Sequence, residues 1–153
     1  METTTINSFY FIGLPIRTTN ENNQAAQDLL ALWTRFMSEH TITQIPNKID
    51  NTIYCMYTDY EKDHTAPYTA IIGCKVKNLD TIPKGLIGKT IQTSRYTKFV
   101  AKGKINEGSL FKAWNEIWNA PIKRSYTADF EVYDENIKGP DTYEEIDIFI
   151  AVD

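Results

Sequence analysis

"LLALWTRFM", residues 29–37, and "LFKAWNEIW", residues 110–118, are two segments built to one plan. Leu29, Leu30, Trp33, Phe36 and Met37 recur as Leu110, Phe111, Trp114, Ile117 and Trp118, each 81 positions further along the chain. Apolar residues at this spacing form one stripe along a helix, the stripe of a helix that packs on a sheet. Any such helix needs a stripe, so the segments on either side decide whether the match is a repeat.

Before the first helix, "FYFIGLPI" (9–16) is rich in aromatic and β-branched residues and predicts a strand, which Pro15 confines to an edge or an end. "TTNENN" (18–23) offers Asn and Thr as N-caps, with Glu21 near the positive end of the helix. After a loop around Pro46 come "TIYCMYTDY" (52–60) and "YTAIIGCKV" (68–76), which the polar "EKDHTAP" joins as a hairpin. "TIPKGLIGK" (81–89) reads as a connecting loop and "TIQTSRYTKFVAK" (90–102) as a strand. The second helix follows, then "YTADFEVYD" (126–134) and "EEIDIFIAV" (144–152), joined through Gly139 and Pro140. The order β-α-β-β thus occurs twice, over about 6–80 and 90–153. It predicts one α+β domain spanning 1–153: a pseudo-twofold antiparallel sheet, two main helices on one face and a pocket between them.

Composition narrows the function. With 42% hydrophobic and 24% charged residues the chain has an ordinary globular balance, and it has no long apolar run to span a membrane. "METTTINSFYFIG" has neither the basic start nor the apolar stretch of a secretory signal, so a cytoplasmic location is expected. Cys55 and Cys74 match no metal-ligand spacing and read as buried free thiols; no metal and no cofactor is expected. A net charge of −4, with the 16 Lys and Arg spread along the chain, argues against direct nucleic-acid binding. "IKR" (122–124) and "KGK" (102–104) read as solvated faces, and His40 and His64 as solvated loop residues. Tyr60, Tyr68 and Tyr143 fall at strand ends or loops and are expected to be partly exposed.

Within "DFEVYDE" (129–135), Phe130 and Val132 alternate with Asp129, Glu131 and Tyr133. Alternation alone puts Glu131 on a wet strand face, although Tyr133 makes that face partly aromatic. Overlaying Tyr57 on Tyr133 puts Cys55 on Glu131, which gives the two central strands a thiol on one side and an acid on the other.

"IRTTN", "LLALWTRF", "YTKFVAKG", "AWNEIW", "DFEVYD" and "IDIFIAV", in this order, resemble the GyrI-like small-molecule-binding family, the effector-binding domains of AraC-class and MerR-class multidrug regulators. The resemblance spans nearly the whole chain. It implies two β-α-β-β units around a central pocket, with an acid on the third strand of the second unit meeting the ligand; the matching residue is Glu131. Because the first strand begins within about ten residues of Met1, the resemblance leaves no room for a DNA-reading domain ahead of it, and a stand-alone form is expected.

The expected ligand-binding set is Glu131, Tyr133, Trp114, Trp118, Tyr57, Tyr96, Phe99 and Trp33. A carboxylate in an aromatic cleft favours a small amphipathic or cationic organic ligand, because the desolvated charge calls for an opposite one. The resemblance also leaves open a hydrolase of reactive small molecules, with Glu131 as general acid or base, and thirdly an inhibitor of DNA gyrase. A regulator or gyrase is accordingly its implied protein partner.

Overall fold

Eight antiparallel strands form one sheet in the computed structural model, which describes residues 2–153. In chain order the elements are β1 (Thr4–Ile6), β2 (Phe9–Thr18), α1 (Gln24–Ser38), α2 (Thr41–Gln44), β3 (Ile53–Thr58), β4 (Tyr68–Val76), β5 (Ile87–Ile91), β6 (Ser94–Lys104), α3 (Ser109–Asn119), β7 (Ala128–Tyr133) and β8 (Tyr143–Val152). The strand order is β1-β6-β8-β7-β3-β4-β2-β5. Its middle six strands are the two repeats: β2-β4-β3 in one half mirrors β6-β8-β7 in the other, and β3 meets β7 at the centre. The expected α+β class and repeat are what the chain forms.

The two outermost strands exchange halves. β1 leads into β2 yet pairs with β6, and β5 leads into β6 yet pairs with β2. "TIPKGLIGK" therefore contains most of a strand rather than only a loop, and the segment read as one strand from residue 90 breaks between Ile91 and Ser94. β2 is not an edge strand: β5 covers Phe9 to Gly13, and Pro15 lies beyond that cover, where its missing N–H costs no pairing with β5. The two connections touch, the Ser8 amide donating to Thr93 Oγ1 at 2.9 Å.

Each face of the sheet carries its own core. On one face Phe11 and Ile91 pack in the same cluster as Tyr96 and Ala151, although their strands lie towards opposite ends of the sheet, so the sheet curls around them. The helices cover the other face: Leu32 and Phe36 of α1 lie over one half, Ala113 and Ile117 of α3 over the other. These buried positions are again 81 apart. Phe36 and Ile117 belong to the stripe read from sequence and Leu32 and Ala113 do not, while another part of that stripe stands clear: Leu30 and Phe111 are each 70% exposed. No side chain caps α1, whose N-cap Asn23 is left-handed with φ 59°. Among the described residues no helix is long and apolar enough to cross a membrane.

Candidate functional site

Because β3 and β7 pair antiparallel, Cys55 stands directly opposite Glu131 on the helix side of the sheet, with Tyr57 opposite Asp129 and Ile53 opposite Tyr133. The pseudo-twofold axis that exchanges Tyr57 with Tyr133 therefore passes between the thiol and the acid. Above this floor α1 and α3 stand apart, and a cavity of about 1290 Å³ opens between them. Its walls keep the symmetry: the Trp33 ring meets Tyr133 edge-on at 4.9 Å, and Trp114 meets Tyr57 at 5.3 Å, each tryptophan reaching across to the tyrosine of the other half.

Glu131 breaks that symmetry. Its Oε2 accepts from Trp114 Nε1 at 2.7 Å and from the Tyr57 hydroxyl at 2.9 Å, while Oε1 accepts from the Tyr133 hydroxyl at 2.6 Å. Three donors occupy three of the roughly four acceptor positions of a carboxylate and leave one on Oε1. The residue is 3% exposed, and among the described residues no Lys, Arg or His forms a salt bridge with it. Burial raises the Glu131 carboxyl above the ordinary 4.5, while the bonds from Tyr133, Trp114 and Tyr57 oppose the rise. Burial, with the charge of Glu131, likewise pushes the neighbouring Cys55 thiol well up, which makes it a poor nucleophile.

A carboxyl that is a weaker acid in the folded chain than in the unfolded one contributes stability that is complete below the unfolded value and is lost as pH rises through the folded value. Glu131→Gln removes that contribution. Thermal unfolding followed by circular dichroism from acid to neutral pH should show a flatter loss of Tm with rising pH in the variant; the same slope in both proteins would contradict the assignment.

Of the residues expected at the site, Glu131, Tyr133, Tyr57, Trp33, Trp114 and Trp118 line the cavity. Tyr96 and Phe99 do not. They are three apart on β6, and residues three apart on a strand face opposite sides. Tyr96 is fully buried on the far face against Phe130, and Phe99 packs with the core beneath α3.

One end of the cavity escaped the sequence reading altogether. Arg124, read as a solvated charge, has a side chain only 5% exposed and an ion pair with fully buried Asp129, Nη2 to Oδ2 at 2.8 Å. Asp129 also accepts from the Tyr60 hydroxyl at 2.6 Å and from the Ala151 amide at 2.8 Å; burial pushes its carboxyl up, and Arg124 and these donors hold against the rise. His64, read as solvated, is half-buried and stacks on Trp118 at 5.9 Å, and Tyr68 is buried with its hydroxyl on Asn20 Oδ1. Cys55 and Cys74 are buried free thiols as expected, and Tyr143 is exposed. Among the described residues no three His, Cys, Asp or Glu are grouped to hold a metal ion.

A pseudo-symmetric sheet with paired helices over an aromatic cavity is the architecture of the GyrI-like effector-binding domains, and relatives agree. The chain belongs to the Cass2 family of integron-associated effector binding proteins, whose pattern matches residues 2–152. It is similar to the integron cassette protein VCH_CASS2 from the mobile metagenome of Vibrio cholerae, at 28% identity and TM-score 0.76 over 99% of this chain and 95% of that one. YobU of Bacillus subtilis (strain 168) is 26% identical over 146 residues, 93% of this chain and 91% of its own length. SAV2435, solved bound to tetraphenylphosphonium, shares the fold with TM-score 0.78 at 20% identity, over 99% of this chain and 93% of that one.

Proposed function

We propose that this chain binds a lipophilic organic cation between α1 and α3, with the Glu131 carboxylate as counter-charge, for effector sensing or for sequestration of the compound. The observation that carries the reading is a buried acid, without a cationic partner among the described residues, on the floor of an open aromatic cavity. Three neutral donors lessen the burial cost of that charge without cancelling it, and a cation brought over the floor supplies what is missing. Where a cation meets the ring faces of Trp33, Trp114, Tyr57 or Tyr133, cation–π attraction adds about 0.5–2 kcal/mol. That a protein of the same fold, SAV2435, was solved bound to tetraphenylphosphonium supports the reading.

The test is a titration with tetraphenylphosphonium, read by quenching of the tryptophans that line the cavity, on the wild type and on Glu131→Gln. Gln keeps the shape and an acceptor for Trp114 but removes the charge. Saturable quenching weakened about tenfold or more in the variant, about 1.4 kcal/mol or more, is expected. Equal affinity in the two proteins would overturn the role of the acid.

A further inference from the structure

Arg124 lines the same cavity as Glu131, and its bonding is incomplete. One guanidinium nitrogen serves Asp129, whereas Nε and Nη1 are buried with no hydrogen-bond partner among the described residues. Tyr126 does not meet that need. The centre of its ring lies 4.4 Å from Cζ, so it attracts the cation through its π face but supplies no oxygen or nitrogen acceptor to Nε or Nη1. A charged group whose donors are buried and unmet favours a ligand that brings an acceptor.

Charge decides which acceptor. Arg124, Asp129 and Glu131 sum to one negative charge, which a bound cation neutralises. A ligand carboxylate would restore the deficit and sit beside Asp129, whereas a neutral carbonyl oxygen fills the donors and leaves the balance intact. The strand gives the scale: Asp129, which holds Arg124, and Glu131 are two residues apart on β7, about 7 Å along an extended chain, and a ligand that meets both ends needs a separation of that order.

We infer that the Arg124 end of the cavity is a carbonyl-binding subsite, and that the ligands of this protein are aromatic cations carrying a neutral oxygen acceptor about 7 Å from the charge. The inference rests on Glu131 as the cation site, and three rigid para-substituted benzyltrimethylammonium ions separate the two claims. The 4-acetyl compound presents a carbonyl; the 4-isopropenyl compound has nearly the same shape with no acceptor; the 4-carboxy compound is a zwitterion. Calorimetry on the wild type should find the acetyl compound tightest, about tenfold or more ahead of the isopropenyl one, with the carboxylate behind the acetyl. Arg124→Lys keeps a cation on Asp129 but lacks the planar fork, and should bring the ratio of acetyl to isopropenyl affinity down to about one.

Equal affinity for the acetyl and isopropenyl compounds, a preference for the carboxylate, no binding by any of the three, or an acetyl preference that survives Arg124→Lys would each overturn the subsite. The wild-type comparison stands by itself if the variant does not fold. Equal binding that still weakens in Glu131→Gln would sink the subsite and spare the acid; binding indifferent to Glu131→Gln would sink the acid.

Discussion

Arg124→Ala should lower folding stability by about 3–5 kcal/mol, because it leaves a buried carboxylate without its cation. The pair is closed from solvent on both sides, at 5% and 0% exposure, so the loss is not softened by water. Arg35→Ala supplies the contrast: its pair with Glu39 is more than half exposed on both sides and should cost less than about 1 kcal/mol. Chemical denaturation of the two variants measures the difference. The deficit of Arg124→Ala should shrink as pH falls, since burial already pushes Asp129 up and protonation removes the stranded charge. Adding Asp129→Asn should recover part of the loss at neutral pH. A cost near that of Arg35→Ala would mean that Asp129 does not depend on Arg124.

Gly73→Ala is the second large effect. Gly73 pairs with Gly13 on β2 and with Tyr54 on β3, so it is enclosed from both sides. A methyl group there would collide with the Ile12 carbonyl oxygen and approach the Gly13 Cα to 2.6 Å, and backbone atoms of a central strand do not yield as a side chain does. The expected cost is about 3 kcal/mol, or a fall in Tm of about 6–12 °C. Gly85, with open space around it and φ 88°, needs only the left-handed backbone, so Gly85→Asn should be well tolerated. A Gly73→Ala protein as stable as the wild type would mean that β2 and β4 can separate.

The repeat was legible because two helices on one sheet need the same stripe and because the strands around them keep their order. The outer strands were harder to see, yet "TINS" (5–8) and "TIQT" (90–93) echo each other 85 positions apart and mark both turns into β2 and β6. Three-residue and five-residue strands carry too little alternation to stand out, and Gly85 and Gly88 point towards a loop. Which edge of a stripe faces the sheet depends on how the helix is rolled, so Leu30 and Met37 look as apolar as Leu32 while standing exposed. Arg124 was out of reach for another reason. Its burial is set by Asp129, Tyr60 and Tyr126, which meet it only in the folded chain, and a local reading of "IKR" sees a charge at the end of a loop.

Cys55 opposite Glu131 bears on parity. Two identical halves related by a true twofold axis place the same residue on both sides of it, so an acid at this point would come as a pair about 5 Å apart, and such carboxylates share a proton rather than both ionise. Identical halves thus offer an even number of acids on the axis, zero or two. Because the two halves here are different stretches of one chain, the number is one, and a single charge can be held between two matching aromatic walls.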